Sequence, residues 1–83
     1  MERTIKFIWN YYGAPALKTA EHHKIHLQEF AEHKKLELQD TGFEEINKQH
    51  SISYILLKEN EALEFKDVLK PNKAYIIKEW FLV

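Results

Sequence analysis

The chain has 83 residues, with 12 basic side chains against 13 acidic ones and no cysteine. A single domain of this size buries only about 60% of its unfolded surface, so stability is marginal and oligomerisation is a common remedy. A net charge of −1 without a basic cluster argues against nucleic acid as a partner, and the absence of cysteine excludes disulfides and thiolate chemistry. With no signal-peptide core and no run of membrane-spanning length, a cytoplasmic location is the default expectation and a membrane is not expected as a partner.

Thr4 to Tyr12 reads as a strand, with Ile5, Phe7, Trp9 and Tyr11 on one face and Ile8 and Tyr12 on the other. Gly13-Ala14-Pro15 breaks it, and Pro15 suits the first position of a helix that runs to about Lys35. That helix closes in His33-Lys34-Lys35, cations suited to the negative end of its dipole. At about 100° per residue, Ala16, Ala20, Leu27, Phe30 and Ala31 define its apolar face, and His23 falls inside it. Ile25 lies opposite, an exposed oddity suited to touching a partner.

Leu36 to Glu45 reads as a second strand in which Leu36, Leu38, Asp40 and Gly42 share a face, with Gly42 a candidate bulge. Asn47-Lys48-Gln49 is a polar turn. Ser51 to Leu57 is apolar on both faces, the mark of a central strand. Asn60 is placed as the N-cap of a short helix, Glu61 to Leu69, that Pro71 stops. Ala74 to Trp80 closes as a fourth strand and leaves Phe81-Leu82-Val83 as an apolar tail.

This order predicts one α+β domain over residues 1–83, a ferredoxin-like βαββαβ fold with a four-stranded antiparallel sheet and two helices on one face. The other face then displays Trp9 or Ile8, Tyr54 or Ile55, and Tyr75 or Ile76, depending on pleat phase, and is too apolar for open water. A second copy packed sheet to sheet is the simplest cover. The expected assembly is a two-fold homodimer with a barrel-like interior.

Phe7-Ile8-Trp9 in the first strand, His23-Lys24-Ile25-His26-Leu27 in the helix and Leu38-Gln39-Asp40-Thr41-Gly42 in the second strand give a resemblance that spans nearly the whole chain. In these segments the chain resembles the dimeric α/β-barrel superfamily, and within it small YCII-related proteins. That resemblance implies a helix histidine paired with an aspartate of the second strand, positions that His23 and Asp40 match.

The residues lead to the same pair independently. His23 lies on the helix face that meets the sheet, and Asp40 shares the face of Leu36 and Leu38, so a carboxylate would fix the imidazole tautomer and favour acid/base chemistry. The competing reading is a buried polar pair that fastens helix to sheet. His22 and His26 have the i, i+4 spacing of metal ligands, but without a third ligand they read as a solvated flank, so neither a metal site nor a cofactor is expected. Ser51 and Ser53 sit in a strand with no nucleophile elbow and read as ordinary strand residues. Trp9, Tyr11, Tyr12, His26 and Tyr54 form the candidate ligand-binding set, aromatic groups first suited to core and interface.

Two functions follow from different classes. One is a homodimeric protein that binds a small, largely apolar molecule, with acid/base catalysis by His23 and Asp40 as an option that leaves enzyme status open. The other is a non-catalytic structural or protein-interaction module. A ligand-sized cavity reaching His23 favours the first; a filled core around it favours the second.

Overall fold

The computed structural model describes residues 3–77. The elements are β1 (Thr4–Tyr12), α1 (Ala16–Lys34), β2 (Asp40–Asn47), β3 (His50–Lys58), α2 (Glu59–Leu69) and β4 (Lys73–Ile77). They form one antiparallel sheet in the order β2-β3-β1-β4. This is the ferredoxin-like α+β arrangement expected from the order of elements. Among the described residues no helix is long and apolar enough to cross a membrane.

Both helices pack on one side of the sheet. On that side Phe7, Trp9, Ile55 and Leu57 meet Leu27 and Ala31 of α1 and Ala62 of α2, and together they form the core. The register makes the layer continuous: Ile5, Phe7, Trp9 and Tyr11 stand opposite Leu57, Ile55, Ser53 and Ser51. Because side chains alternate along a strand, Ile8 is sent to the other face with its partner Tyr54, and Tyr75 joins them opposite Lys6. Pleat phase thus selects Ile8, Tyr54 and Tyr75 for the uncovered side.

The ends of the elements depart from the sequence reading in informative ways. Pro15 is the residue before α1 rather than its first residue. At the other end Lys35 takes a left-handed conformation, φ 57°, and the Leu36 N–H returns to the Ala31 carbonyl at 2.9 Å, closing the helix. The second strand was expected from Leu36 but starts at Asp40. Leu36 and Leu38 pack against the core, yet the Leu38 N–H bonds the Leu36 carbonyl at 2.9 Å, so this stretch is a tight turn and not a pleated strand. No bulge forms at Gly42; the irregularity lies between Glu45 and Asn47.

Asn60 does not cap the second helix. Lys58 precedes it, and α2 begins at Glu59 directly from β3, with Glu59 and Glu61 at the positive end of the helix dipole. The Glu59 N–H is taken up by the Arg3 carbonyl at 2.8 Å, and the Arg3 and Glu59 side chains form an ion pair. The fourth strand is described from Lys73 to Ile77; the expected continuation to Trp80 and the tail Phe81-Leu82-Val83 lie outside the described residues.

Candidate functional site

His23 projects from the middle of α1 onto the sheet. Its Nδ1 lies 2.8 Å from the hydroxyl of Ser53, which is fully buried on β3. The same hydroxyl lies 3.1 Å from the Tyr11 hydroxyl on β1. Trp9 presents an edge-on contact to the imidazole at 4.8 Å between ring centroids, and Tyr11 does so at 5.9 Å. The Trp9 indole N–H is itself fixed, donating to the Leu69 carbonyl at the end of α2 at 3.1 Å. Three elements therefore hold one imidazole.

Ser53 can accept twice but has a single hydroxyl proton, so it donates to at most one of these partners, and two forms use that proton within the chain. In one, Tyr11 donates to Ser53 and Ser53 donates to His23 Nδ1, leaving the proton on Nε2. In the other, His23 Nδ1–H donates to Ser53 and Ser53 donates to Tyr11, leaving Nε2 an acceptor. No buried side-chain nitrogen or oxygen among the described residues lacks a partner. Among the described residues His23 Nε2 makes no hydrogen bond.

Burial lowers the pKa of His23, and the neighbouring positive charge of His26 lowers it further. The neutral ring is thereby favoured. Burial also raises the pKa of the Tyr11 hydroxyl, an effect opposed by its bond to Ser53. The cluster is a neutral, hydrogen-bonded set at the helix–sheet interface.

Asp40 is not part of it. The expected pairing of His23 with Asp40 does not form, because Asp40 stands opposite Leu56 on the uncovered face of the sheet, whereas His23 meets the helix-covered face. The turn at Leu36–Leu38 breaks the alternation that would have carried Asp40 inward. Asp40 is exposed, and its Oδ1 accepts from the Thr41 N–H at 2.9 Å.

Of the candidate ligand-binding residues, Trp9 and Tyr11 join His23, while the others are dispersed. His26 is exposed on the outer flank of α1, stacked on His22 at 4.9 Å and 3.6 Å from a Glu29 carboxylate oxygen. Tyr12 is 70% exposed and stacks on His50 at 4.6 Å, while Tyr54 lies mid-sheet on the uncovered face. Among the described residues no group of three or more His, Cys, Asp or Glu side chains is placed to hold a metal ion.

Ser53 is the residue that the sequence reading passed over. The signal was available: Ser53 alternates with Ile55 and Leu57, so once those two face the core, a serine between the layers needs a partner from the helix above it. A groove of about 220 Å³ between α2 and β4, lined by Phe7, Ala62, Leu63, Ala74 and Ile76 among others, does not reach His23. The hollows along the outer side of α1 are lined by residues such as His22, Ile25, His26 and His33, again without His23. No family model, curated protein or solved structure matches this chain.

Proposed function

We propose that this chain acts as a self-associating, non-catalytic domain that homodimerises through the sheet face its helices leave bare. One observation carries the reading. Ile8, Ile52, Tyr54, Leu56 and Tyr75 share that face, and Tyr75 is 47% exposed there. Strands of nine, eight, nine and five residues in one four-stranded sheet give a flat footprint of about 490 Å² at strand spacing of about 4.8 Å and rise of about 3.3 Å. Side-chain relief brings such a face to the scale of the roughly 800 Å² per partner of a standard interface.

In this reading His23 fastens α1 to β3. Its bond to buried Ser53 and its edge contacts with Trp9 and Tyr11 are what a structural imidazole requires. The resemblance to YCII-related proteins enters through the fold alone, since the histidine–aspartate pair it implies is not formed. Sedimentation equilibrium tests the assembly: the expected mass at micromolar concentration is twice the 10.0 kDa chain mass. A 10.0 kDa species persisting to millimolar concentration overturns it.

The Nε2 of His23, which makes no hydrogen bond among the described residues, favours a second reading, a small-molecule contact at that nitrogen against the edges of Trp9 and Tyr11. Nitrogen-15 spectra of the His23 ring, recorded across a set of small aromatic fragments, test it. A saturable shift at Nε2 supports binding, and an unresponsive ring removes it.

A further inference from the structure

We infer that the two-fold axis of the homodimer runs parallel to the strands, so that β2 of each protomer lies over β4 of its partner and the acidic edge of one sheet meets the lysines of the other. The inference rests on the self-association proposed above and adds its geometry.

The bare face is charged in a pattern. Across the sheet, one row reads Asp40, Leu56, Lys6, Tyr75; the next reads Gly42, Tyr54, Ile8, Lys73; the third begins Glu44, Ile52, Asn10. In these rows both carboxylates stand on β2 and the lysines stand on β1 and β4; Lys58, at the end of β3 beyond them, is paired with Glu37 at 2.6 Å. Tyr54 ties the pattern to one surface. A Cβ built on Gly42 would lie 2.6 Å from its hydroxyl, which therefore sits over Gly42, and Lys6 Nζ lies 4.5 Å from its ring centroid. Asp40 and Glu44 both help raise the pKa of that hydroxyl, after burial, so the two carboxylates flank it.

Two sheets packed face to face with aligned strands can be related by an in-plane two-fold axis that is either parallel or perpendicular to the strands. A pure rotation about the parallel axis involves no sliding along the strands. Each row therefore meets the same row of the partner in reversed order. Tyr54 then covers the partner's Ile8, and Lys73 faces the partner's Gly42 between the partner's Asp40 and Glu44. Lys6 lies one strand away from the partner's Asp40. Unlike charges meet at both ends, and the Tyr54 hydroxyl that sits over Gly42 offers the ammonium group an oxygen acceptor.

The perpendicular axis keeps each strand over its own counterpart and inverts the rows. With the axis through the Gly42 row, Asp40 opposes the partner's Glu44 and Lys73 opposes the partner's Lys73; at any other row the acidic strand still lies over its own copy. Like charges meet at both edges, which disfavours that arrangement. The charge pattern thus fits a second copy of this chain in one orientation.

Two charge-reversed proteins test the orientation, Asp40→Lys with Glu44→Lys and Lys6→Glu with Lys73→Glu, each checked for fold by circular dichroism. Each alone should dimerise at least tenfold more weakly than the unmodified chain, and an equimolar mixture should recover the unmodified affinity. Variants that self-associate as tightly as the unmodified chain overturn the parallel axis while leaving the homodimer standing. A monomeric unmodified chain removes the homodimer itself.

Discussion

Replacing Ser53 with alanine removes the hydroxyl that serves both His23 Nδ1, at 2.8 Å, and the Tyr11 hydroxyl, at 3.1 Å. The net worth of an intramolecular hydrogen bond is about 0.5–1.5 kcal/mol, so losing two costs about 1–3 kcal/mol. The lower half of that range applies if water re-enters, because His23 and Tyr11 are only half-buried although Ser53 is fully buried. Tyr11→Phe removes one bond and should cost about 0.5–1.5 kcal/mol. The Tyr11–Ser53 bond is lost in either single variant, so the double variant should fall short of additivity by about that one bond. Urea unfolding of the four proteins, at equal protomer concentration to hold any association constant, measures each term. A neutral Ser53→Ala, or strictly additive costs, refutes the hydrogen-bonded account of how α1 is held to the sheet.

Three further outcomes are expected. Because burial depresses the His23 pKa, the unfolded chain takes up this proton first on acidification; the stability linked to His23 is therefore complete above about pH 6.5 and is lost as pH falls through the folded-state pKa. Unfolding free energy followed against pH should show this slope, and His23→Gln should flatten it. Asp40→Asn should leave the NMR titration midpoint of the His23 ring unchanged, since the carboxylate lies on the opposite side of the sheet; a clear shift would restore the pairing expected from the sequence. Calorimetric zinc titration should show weak binding of no defined stoichiometry at His22 and His26, whereas a tight one-to-one site lost in His26→Ala would contradict the lack of a third ligand.

The order of elements was legible because each depends on local signals. The alternation from Thr4 to Tyr12, the helical spacing of Ala16, Ala20, Leu27 and Ala31, and the doubly apolar Ser51–Leu57 each identify an element without long-range information. The burial of His23 against the sheet was legible for the same reason. Its partner was not. Asp40 was placed by extending the Leu36–Leu38 alternation, and one hydrogen bond between those two residues breaks it. A slip of one position in a strand moves every later side chain to the other face. Ser53 could be found only by combining the phase of β3 with the position of His23 along α1, a relation that neither segment contains alone. The start of α2 was misplaced because Asn60 is a good cap by type, while the chain instead anchors Glu59 on the backbone and side chain of Arg3, 56 residues away.

Filtered nuclear Overhauser spectra on a mixture of carbon-13-labelled and unlabelled chains address the self-association through the bare face most directly, since only contacts between protomers survive the filter. Intermolecular contacts are expected only from the bare face, centred on Ile8, Ile52, Tyr54, Leu56 and Tyr75, with none from the outer flank of α1. Intermolecular contacts that instead fall on His22, Ile25 and His26, or their complete absence at millimolar concentration, would contradict it.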